Sequence, residues 1–171
     1  TLHIEELINV NVAAMDKSDP KRKFGLLLDE WGTWYAVEKG TNASFLYQQS
    51  SLRDAVVAAL NFNIFHAHAD RVRMTNIAQM VNVLQAMILT NKDKMILTPT
   101  YYAFQMYIPF QDATALGMEV LNNTQYTLEK VSIPSVSASA ARAKDGKVYL
   151  AVVNTNPNKA EEIDLSLVGK N

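Results

Sequence analysis

The first part of the chain switches between helical and strand-like hydrophobic patterns. In residues 2–15 apolar side chains recur at helical spacing, which predicts an amphipathic helix. Residues 24–30 begin with an apolar run without alternation, as in a parallel strand that is buried on both faces. A helix of about 16 residues is expected from position 52, because Ser51 and Asp54 resemble a capping box.

The middle of the chain continues this order. Residues 70–75 predict a short strand, and residues 77–88 form a further periodic apolar segment. Thr98 and Pro99 predict another helix, with Thr at the N-cap and Pro at the first helical position, which should end before Pro109. The first 110 residues therefore have the pattern of an α/β domain.

The pattern changes near residue 117, where short alternating runs replace the helical ones. Asp145 and Gly146 predict a hairpin turn, because this pair tolerates positive φ angles. The predicted strands are residues 118–121, 126–133, 136–143, 148–154 and 163–167. We therefore predict two regions, an α/β region over residues 1–112 and an all-β region over residues 113–171.

The α/β region has only two credible core strands, although a parallel sheet needs both faces and both edges covered. The whole chain of 171 residues is also shorter than a complete (βα)8 barrel of about 250 residues. Moreover, the sequence begins with Thr1 rather than Met. We expect it to be a piece of a longer protein.

Composition excludes several classes of function. The 16 basic and 17 acidic residues give a net charge of −1 with no basic run, so we expect no nucleic-acid partner and no polybasic membrane anchor. No apolar run is long enough for a membrane span. The absence of cysteine removes disulfides, thiolate metal sites and a cysteine nucleophile. His66 and His68 lie two positions apart with no third ligand candidate nearby, so no metal site is predicted.

The segment 29–35, Asp-Glu-Trp-Gly-Thr-Trp-Tyr, resembles the nucleophile motif of the α-L-arabinofuranosidases of glycoside hydrolase family 51. Further blocks that resemble this family lie at residues 40–42, 46–49, 52–55, 68–72, 77–85 and 97–101. The resemblance implies a (βα)8 TIM barrel followed by a C-terminal β-sandwich. It makes residues 24–30 the seventh barrel strand and residues 70–75 the eighth, and the start of the sandwich lies near residue 118.

The resemblance also implies the site residues. It makes Glu30 the catalytic nucleophile, and at the C-terminal end of a buried strand Glu30 would lie on the substrate face of such a barrel. The alternative is a strand-end carboxylate that pairs with a neighbour such as Arg71. Trp34 and Gln79 would contact the sugar; the alternatives are loop packing for Trp34 and the capping of a strand-end carbonyl for Gln79. Asp29 should point to the opposite side from Glu30 and be structural.

The implied activity is retaining hydrolysis of terminal α-L-arabinofuranosyl residues from arabinan- or arabinoxylan-type polysaccharides, with no metal or organic cofactor. Family members carry the acid/base as the Glu of an Asn-Glu pair, and that dipeptide does not occur here. The isolated chain should therefore be inactive. We expect it to be completed by an N-terminal portion, or to be part of a homo-oligomer.

Two alternative functions stay open from the sequence. Another barrel glycosidase, of the endoglucanase or xylosidase type, shares a strand-end Glu, although Trp34 and Gln79 resemble the arabinofuranose pocket. A non-catalytic carbohydrate-binding module would need an exposed row of aromatic residues, and the β region offers only Tyr126 and Tyr149. The compartment stays open, because a chain without cysteine suits both reducing and extracellular environments.

Overall fold

The computed structural model describes residues 2–169. The two predicted regions begin at residue 1 and end at residue 171, so their outermost positions, 1, 170 and 171, lie outside the described residues. The first region contains helix α1, strand β1, helix α2 and strand β2, which span Leu2–Ser18, Leu26–Trp31, Leu52–Ala67 and Val72–Ile77. Strands β1 and β2 are parallel, with Leu26 opposite Val72 and Trp31 opposite Ile77. The predicted order of helices and strands is confirmed here. Each strand begins two residues later than predicted.

The ends of α2 and of the next helix follow their local signals. The Ser51 N–H donates to Asp54 Oδ2 over 2.7 Å, so the capping box is confirmed. Helix α3 spans Pro99–Tyr107, and the Thr98 hydroxyl accepts a long bond from the Tyr101 N–H over 3.5 Å. The helix therefore starts and ends where the sequence predicted.

The periodic segment 77–88 is not helical. Asn82 and Leu84 have φ angles of 61° and 53°, and the segment continues into the hairpin of β3 (Ile88–Asn91) and β4 (Lys94–Leu97). The Leu84 N–H donates to the distant carbonyl of Leu46 rather than to a preceding turn. Its apolar spacing arises because an irregular chain buries Leu84 and Ala86.

Trp31 is the centre of the core of the α/β region. Its ring packs edge-on against Phe62 and Phe65 of α2, with centroid distances of 5.5 and 5.4 Å, and stacks on Phe104 of α3. Ile8 of α1 belongs to the same buried cluster. One end of β1 is therefore fixed by aromatic packing on two helices.

The second region is antiparallel. It contains β5, β6, β7, β8 and β9, which span Thr114–Leu116, Gln125–Leu128, Val131–Pro134, Val136–Arg142 and Val148–Asn154. Strands β5, β8 and β9 form one sheet in that order, and β6 pairs with β7 in a separate hairpin. Gly146, with a φ angle of 84°, turns the chain between β8 and β9 as predicted.

Three strand predictions in this region are wrong. Residues 118–121 form no strand; the edge strand of this sheet, β5, lies just before them and ends at Leu116. Residues 126–133 form two strands rather than one, since Glu129 has a φ angle of 53° and reverses the chain. Residues 163–167 alternate in polarity but form no strand, and their apolar side chains are exposed.

Polar side chains join α2 to the second region. The Ser139 hydroxyl donates to Asn63 Oδ1 over 2.7 Å, and the same oxygen accepts from the Tyr107 hydroxyl over 2.8 Å. His66 Nδ1 lies 2.9 Å from Ser139 Oγ, and burial lowers the pKa of His66 to about 4. His66 is therefore neutral at pH 7. Between residues 2 and 169, no helix is long and apolar enough to cross a membrane.

Candidate active site

Glu30 lies near the C-terminal end of β1, in an irregular part of the strand. Leu28 is paired with Thr75 and Trp31 with Ile77, so two residues of β1, Asp29 and Glu30, face a single residue of β2. Such a bulge breaks the simple alternation of side chains. Both Asp29 and Glu30 are exposed, and the bulge means that strand alternation does not place them on opposite faces.

Within residues 2–169, the Glu30 carboxylate makes no hydrogen bond and no ion pair. The alternative pairing with Arg71 is wrong, because Arg71 is 1% exposed and bound elsewhere. Its guanidinium lies 2.8 Å from Asp19 Oδ2 and 2.5 Å from Asp16 Oδ1, and it also donates to the Phe24 carbonyl. These hydrogen bonds raise the pKa of Arg71, and the bond to Asp19 has the largest effect. Glu30 is thus free of a neutralising partner in the described chain.

Two cavities lie beside Glu30. One of about 650 Å³ separates β1 from α1 and is lined by apolar residues such as Leu27 and Ile4. The other, of about 340 Å³, is lined by Trp34 and Ala78 together with Glu30 itself. Among the described residues that line either cavity, Glu30 is the only carboxylate. A retaining glycosidase needs two carboxylates about 5–5.5 Å apart, and these cavities supply one.

Trp34 and Gln79 lie on the two segments that flank the smaller cavity. Trp34 follows β1, is 65% exposed and lines that cavity. Gln79 directly follows the cavity-lining residue Ala78 and is also exposed. Its amide makes no hydrogen bond within residues 2–169, so it neither caps a carbonyl nor counts as a buried amide. The roles of Trp34 and Gln79 toward a sugar stay predictions.

Below this surface lies a buried polar network that the sequence analysis missed. Gln85 accepts from the Thr33 N–H over 2.9 Å and donates to the Asp54 carbonyl over 2.7 Å. Gln48 accepts from the Tyr35 N–H and donates to the Thr33 hydroxyl, both over 3.0 Å. That hydroxyl donates to Asp54 Oδ1 over 3.0 Å. Gln85 belongs to the same apolar segment as Gln79, and it is the buried amide of that segment.

Gly32 brings the loop against the segment after β2. Its φ angle is +152°, and a Cβ atom there would lie 3.1 Å from the Ala78 carbonyl oxygen. The Ala78 N–H donates to the Trp31 carbonyl over 2.8 Å. Glycine is required here both by the backbone conformation and by the close approach.

These features agree with one enzyme family. The family model described as alpha-L-arabinofuranosidase C-terminal domain matches residues 29–171, which begin at the strand end that carries Glu30. The chain belongs to this family. Over 166 residues it is 46% identical to an intracellular exo-alpha-L-arabinofuranosidase of Bacteroides ovatus, in a match that covers 97% of this chain and 32% of that protein.

Solved structures of arabinofuranosidases are similar to the chain as well. A family 51 arabinofuranosidase from Xanthomonas axonopodis pv. citri matches with 59% identity and a TM-score of 0.86, over 88% of this chain and 30% of that one. The α-L-arabinofuranosidase of Thermotoga maritima, solved as an arabinose complex, matches with 29% identity and a TM-score of 0.73, over 94% of this chain and 35% of that one. The chain therefore spans about a third of the length of these arabinofuranosidases and corresponds to their C-terminal part.

Proposed function

We propose that this chain carries the nucleophile of a retaining α-L-arabinofuranosidase, and that Glu30 is that nucleophile. The observation that carries the proposal is the exposed, unpaired carboxylate at the end of β1, beside a cavity lined by Trp34. The membership of the arabinofuranosidase C-terminal domain family supports the same reaction class.

In this mechanism a Glu30 carboxylate oxygen attacks the anomeric carbon of the arabinofuranosyl unit. A second carboxyl group protonates the departing oxygen, and a covalent glycosyl-enzyme forms with inversion at the anomeric carbon. The second group then removes a proton from water, which attacks the same carbon and releases arabinose with net retention. Because the cavities beside Glu30 contain no other carboxylate of the described chain, we assign the second group to a part of the enzyme outside this sequence. The 171 residues alone are then inactive.

The proposal includes the architecture around Glu30. Residues 1–112 are the end of a (βα)8 barrel, with β1 as the seventh strand and β2 as the eighth, and residues 113–171 begin a C-terminal β-sandwich. The parallel pair supports this, because apolar side chains of its strands, Leu27 and Met74 among them, are exposed. The rest of a barrel, or another copy of the chain, would cover such a face.

The substrates that we propose are terminal α-L-arabinofuranosyl residues of arabinan- or arabinoxylan-type chains. Trp34 is suited to pack its ring on the C–H face of the sugar, and it is exposed toward the cavity that Glu30 lines. Gln79 supplies a free amide on the opposing segment, where it binds a sugar hydroxyl. The reaction needs no cofactor, because both steps are proton transfers and substitutions by carboxylates and water.

The test compares Glu30→Ala with Glu38→Ala, an exposed glutamate of the same loop region, in the complete gene product that contains this sequence. Glu30→Ala should lower kcat on an aryl arabinofuranoside by several orders of magnitude. Azide should partly restore turnover and give the product of inverted configuration, because the small anion occupies the vacated space. Glu38→Ala should retain full activity. Near-normal turnover by Glu30→Ala would show that another residue is the nucleophile.

A further inference from the structure

The loop after Glu30 is held by side chains instead of by a helix or strand. Residues 32–38 have no regular secondary structure. Two of the N–H groups in this loop, those of Thr33 and Tyr35, are bound by the side-chain oxygens of Gln85 and Gln48. Backbone donors that approach the protein interior need such acceptors. The conformation of the loop therefore depends on these two amides.

The network is buried and uses both ends of each amide. Gln85 and Asp54 are 0% exposed and Gln48 is 3% exposed. Besides its loop bond, each glutamine donates to a second partner: Gln85 to the Asp54 carbonyl and Gln48 to the Thr33 hydroxyl. The Asp54 carboxylate accepts from Thr33 and from the Ser51 N–H that it caps. The loop is thus fixed to the first turn of α2, and the helix α2 is itself packed in the core.

The anchored N–H groups are those of the residues on either side of Trp34. Trp34 has little packing of its own, since its side chain is 65% exposed. Glu30 has no partner within residues 2–169 that would fix its carboxylate. The backbone therefore fixes only where each side chain starts and the direction of its Cα–Cβ bond. A misplacement of about 1 Å can cost about 100-fold in rate.

We propose that Gln85, Gln48 and the Thr33 hydroxyl are positioning residues that hold the loop after Glu30, and with it Trp34, in the geometry of attack. This inference rests on the proposed function and assigns to these residues no contact with the substrate. The site then requires amide side chains at these buried positions, because apolar side chains there would leave the loop N–H groups without acceptors.

The experiment uses the complete gene product and four variants. Thr33→Val and Gln85→Met remove the hydrogen bonds with little change in shape, and Thr33→Ser restores the hydroxyl. Asn123→Ala is the matched control, since the Asn123 amide, like that of Gln85, binds one backbone N–H and one backbone carbonyl, both of Val136 in the β region. For each variant we measure the melting temperature, the burst of aryl alcohol that counts competent sites, and the rate of glycosyl-enzyme formation per counted site.

We expect Thr33→Val and Gln85→Met to lower the rate per counted site by about 100-fold, and Thr33→Ser to recover most of it. Asn123→Ala should lower the melting temperature without changing the rate per site. If Thr33→Val and Gln85→Met reduce only the number of competent sites, their role is structural and the inference is wrong. Thr33→Val decides the question should Gln85→Met not fold. Full activity of Glu30→Ala would instead overturn the proposed function, so the two failures are distinct.

Discussion

The residue after Glu30 gives a stability prediction that the structure makes quantitative. Trp31 is 4% exposed and has edge-on contacts with Phe62 and Phe65. Its Nε1–H is also buried and has no hydrogen-bond partner within residues 2–169. Trp31→Phe and Trp31→Ala should therefore have very different effects, because Phe keeps a ring in the cluster and removes the unpaired donor.

The expected magnitudes come from burial and from the unpaired donor. Trp31→Ala opens a cavity in the aromatic core and should cost about 3–5 kcal/mol of unfolding free energy. Trp31→Phe loses roughly two CH₂ equivalents of buried surface, about 1.6 kcal/mol. It regains the penalty of a buried donor without a partner, about 1–3 kcal/mol. These two contributions nearly cancel, so Trp31→Phe should change stability by no more than about 1.5 kcal/mol in either direction.

Urea unfolding of the complete gene product, followed by far-UV circular dichroism, measures both variants without using tryptophan fluorescence as the probe. Trp34→Phe is the control, because the exposed ring of Trp34 contributes little packing. An unfolding midpoint that falls as much in Trp31→Phe as in Trp31→Ala would contradict this expectation. That result would mean that the indole N–H is bonded or that the shape of the indole itself is required.

Three further predictions concern the site and the α2 interface. Trp34→Ala and Gln79→Ala should each raise the transition-state free energy, and for Gln79→Ala the lost hydrogen bond corresponds to about 1–3 kcal/mol. If kcat/KM on an aryl arabinofuranoside is unchanged in one of these variants, that residue does not contact the substrate. Gly32→Ala should lower the free energy of unfolding by about 1–3 kcal/mol, because its Cβ would approach the Ala78 carbonyl at a φ angle of +152°. The variant should therefore have a lower melting temperature, and a melting temperature equal to that of the unmodified protein would contradict this. Burial lowers the pKa of His66 to about 4. Stability should therefore fall as the pH decreases from about 6.5 to about 4, and His66→Gln should weaken that dependence in urea titrations at both ends of the range.

The features predicted correctly from sequence are those that local chemistry determines. The start of α2 follows from Ser51 and Asp54, whose bond closes within three residues, and the start of α3 follows from Thr98 and Pro99. The turn at Gly146 is equally local. These signals need no knowledge of the rest of the fold, so the sequence alone carries them.

The segment 77–88 shows that an apolar period alone does not specify the backbone conformation. Its apolar residues reflect burial, but its backbone bonds are not those between neighbouring turns of a helix: the Leu84 N–H reaches the distant Leu46, and the Gln85 N–H reaches Ala78. Spacing alone does not distinguish a helix from an irregular chain that buries the same residues. The same limit explains residues 163–167, whose alternation has no partner strand within the described chain.

The candidate site was only partly predictable, because most of the contacts that build it join residues far apart in the sequence. Glu30 is predicted from the resemblance of residues 29–35 to the family's nucleophile motif, whereas its position at the end of an apolar run leaves a structural carboxylate as the alternative. The residues that fix its loop do not stand out in the sequence, since Thr33 bonds to Gln48, Asp54 and Gln85 at separations of 15, 21 and 52 positions. Only the fold brings them together. In the 77–88 segment, Gln79 is the amide that the resemblance implies as a sugar contact, whereas Gln85 is the amide with buried partners.

The position of Arg71 explains how Glu30 avoids a neutralising partner. Arg71 directly precedes β2, and in the parallel pair the first residue of β2 lies opposite Leu26, at the end of β1 that is remote from Glu30. There Asp16, Asp19 and the Phe24 carbonyl bind its guanidinium. A guanidinium next to Glu30 would instead pair with its carboxylate and neutralise the charge at that end of the strand. Parallel pairing thus places the buried cation at one end of the strands and leaves the Glu30 carboxylate unpaired at the other.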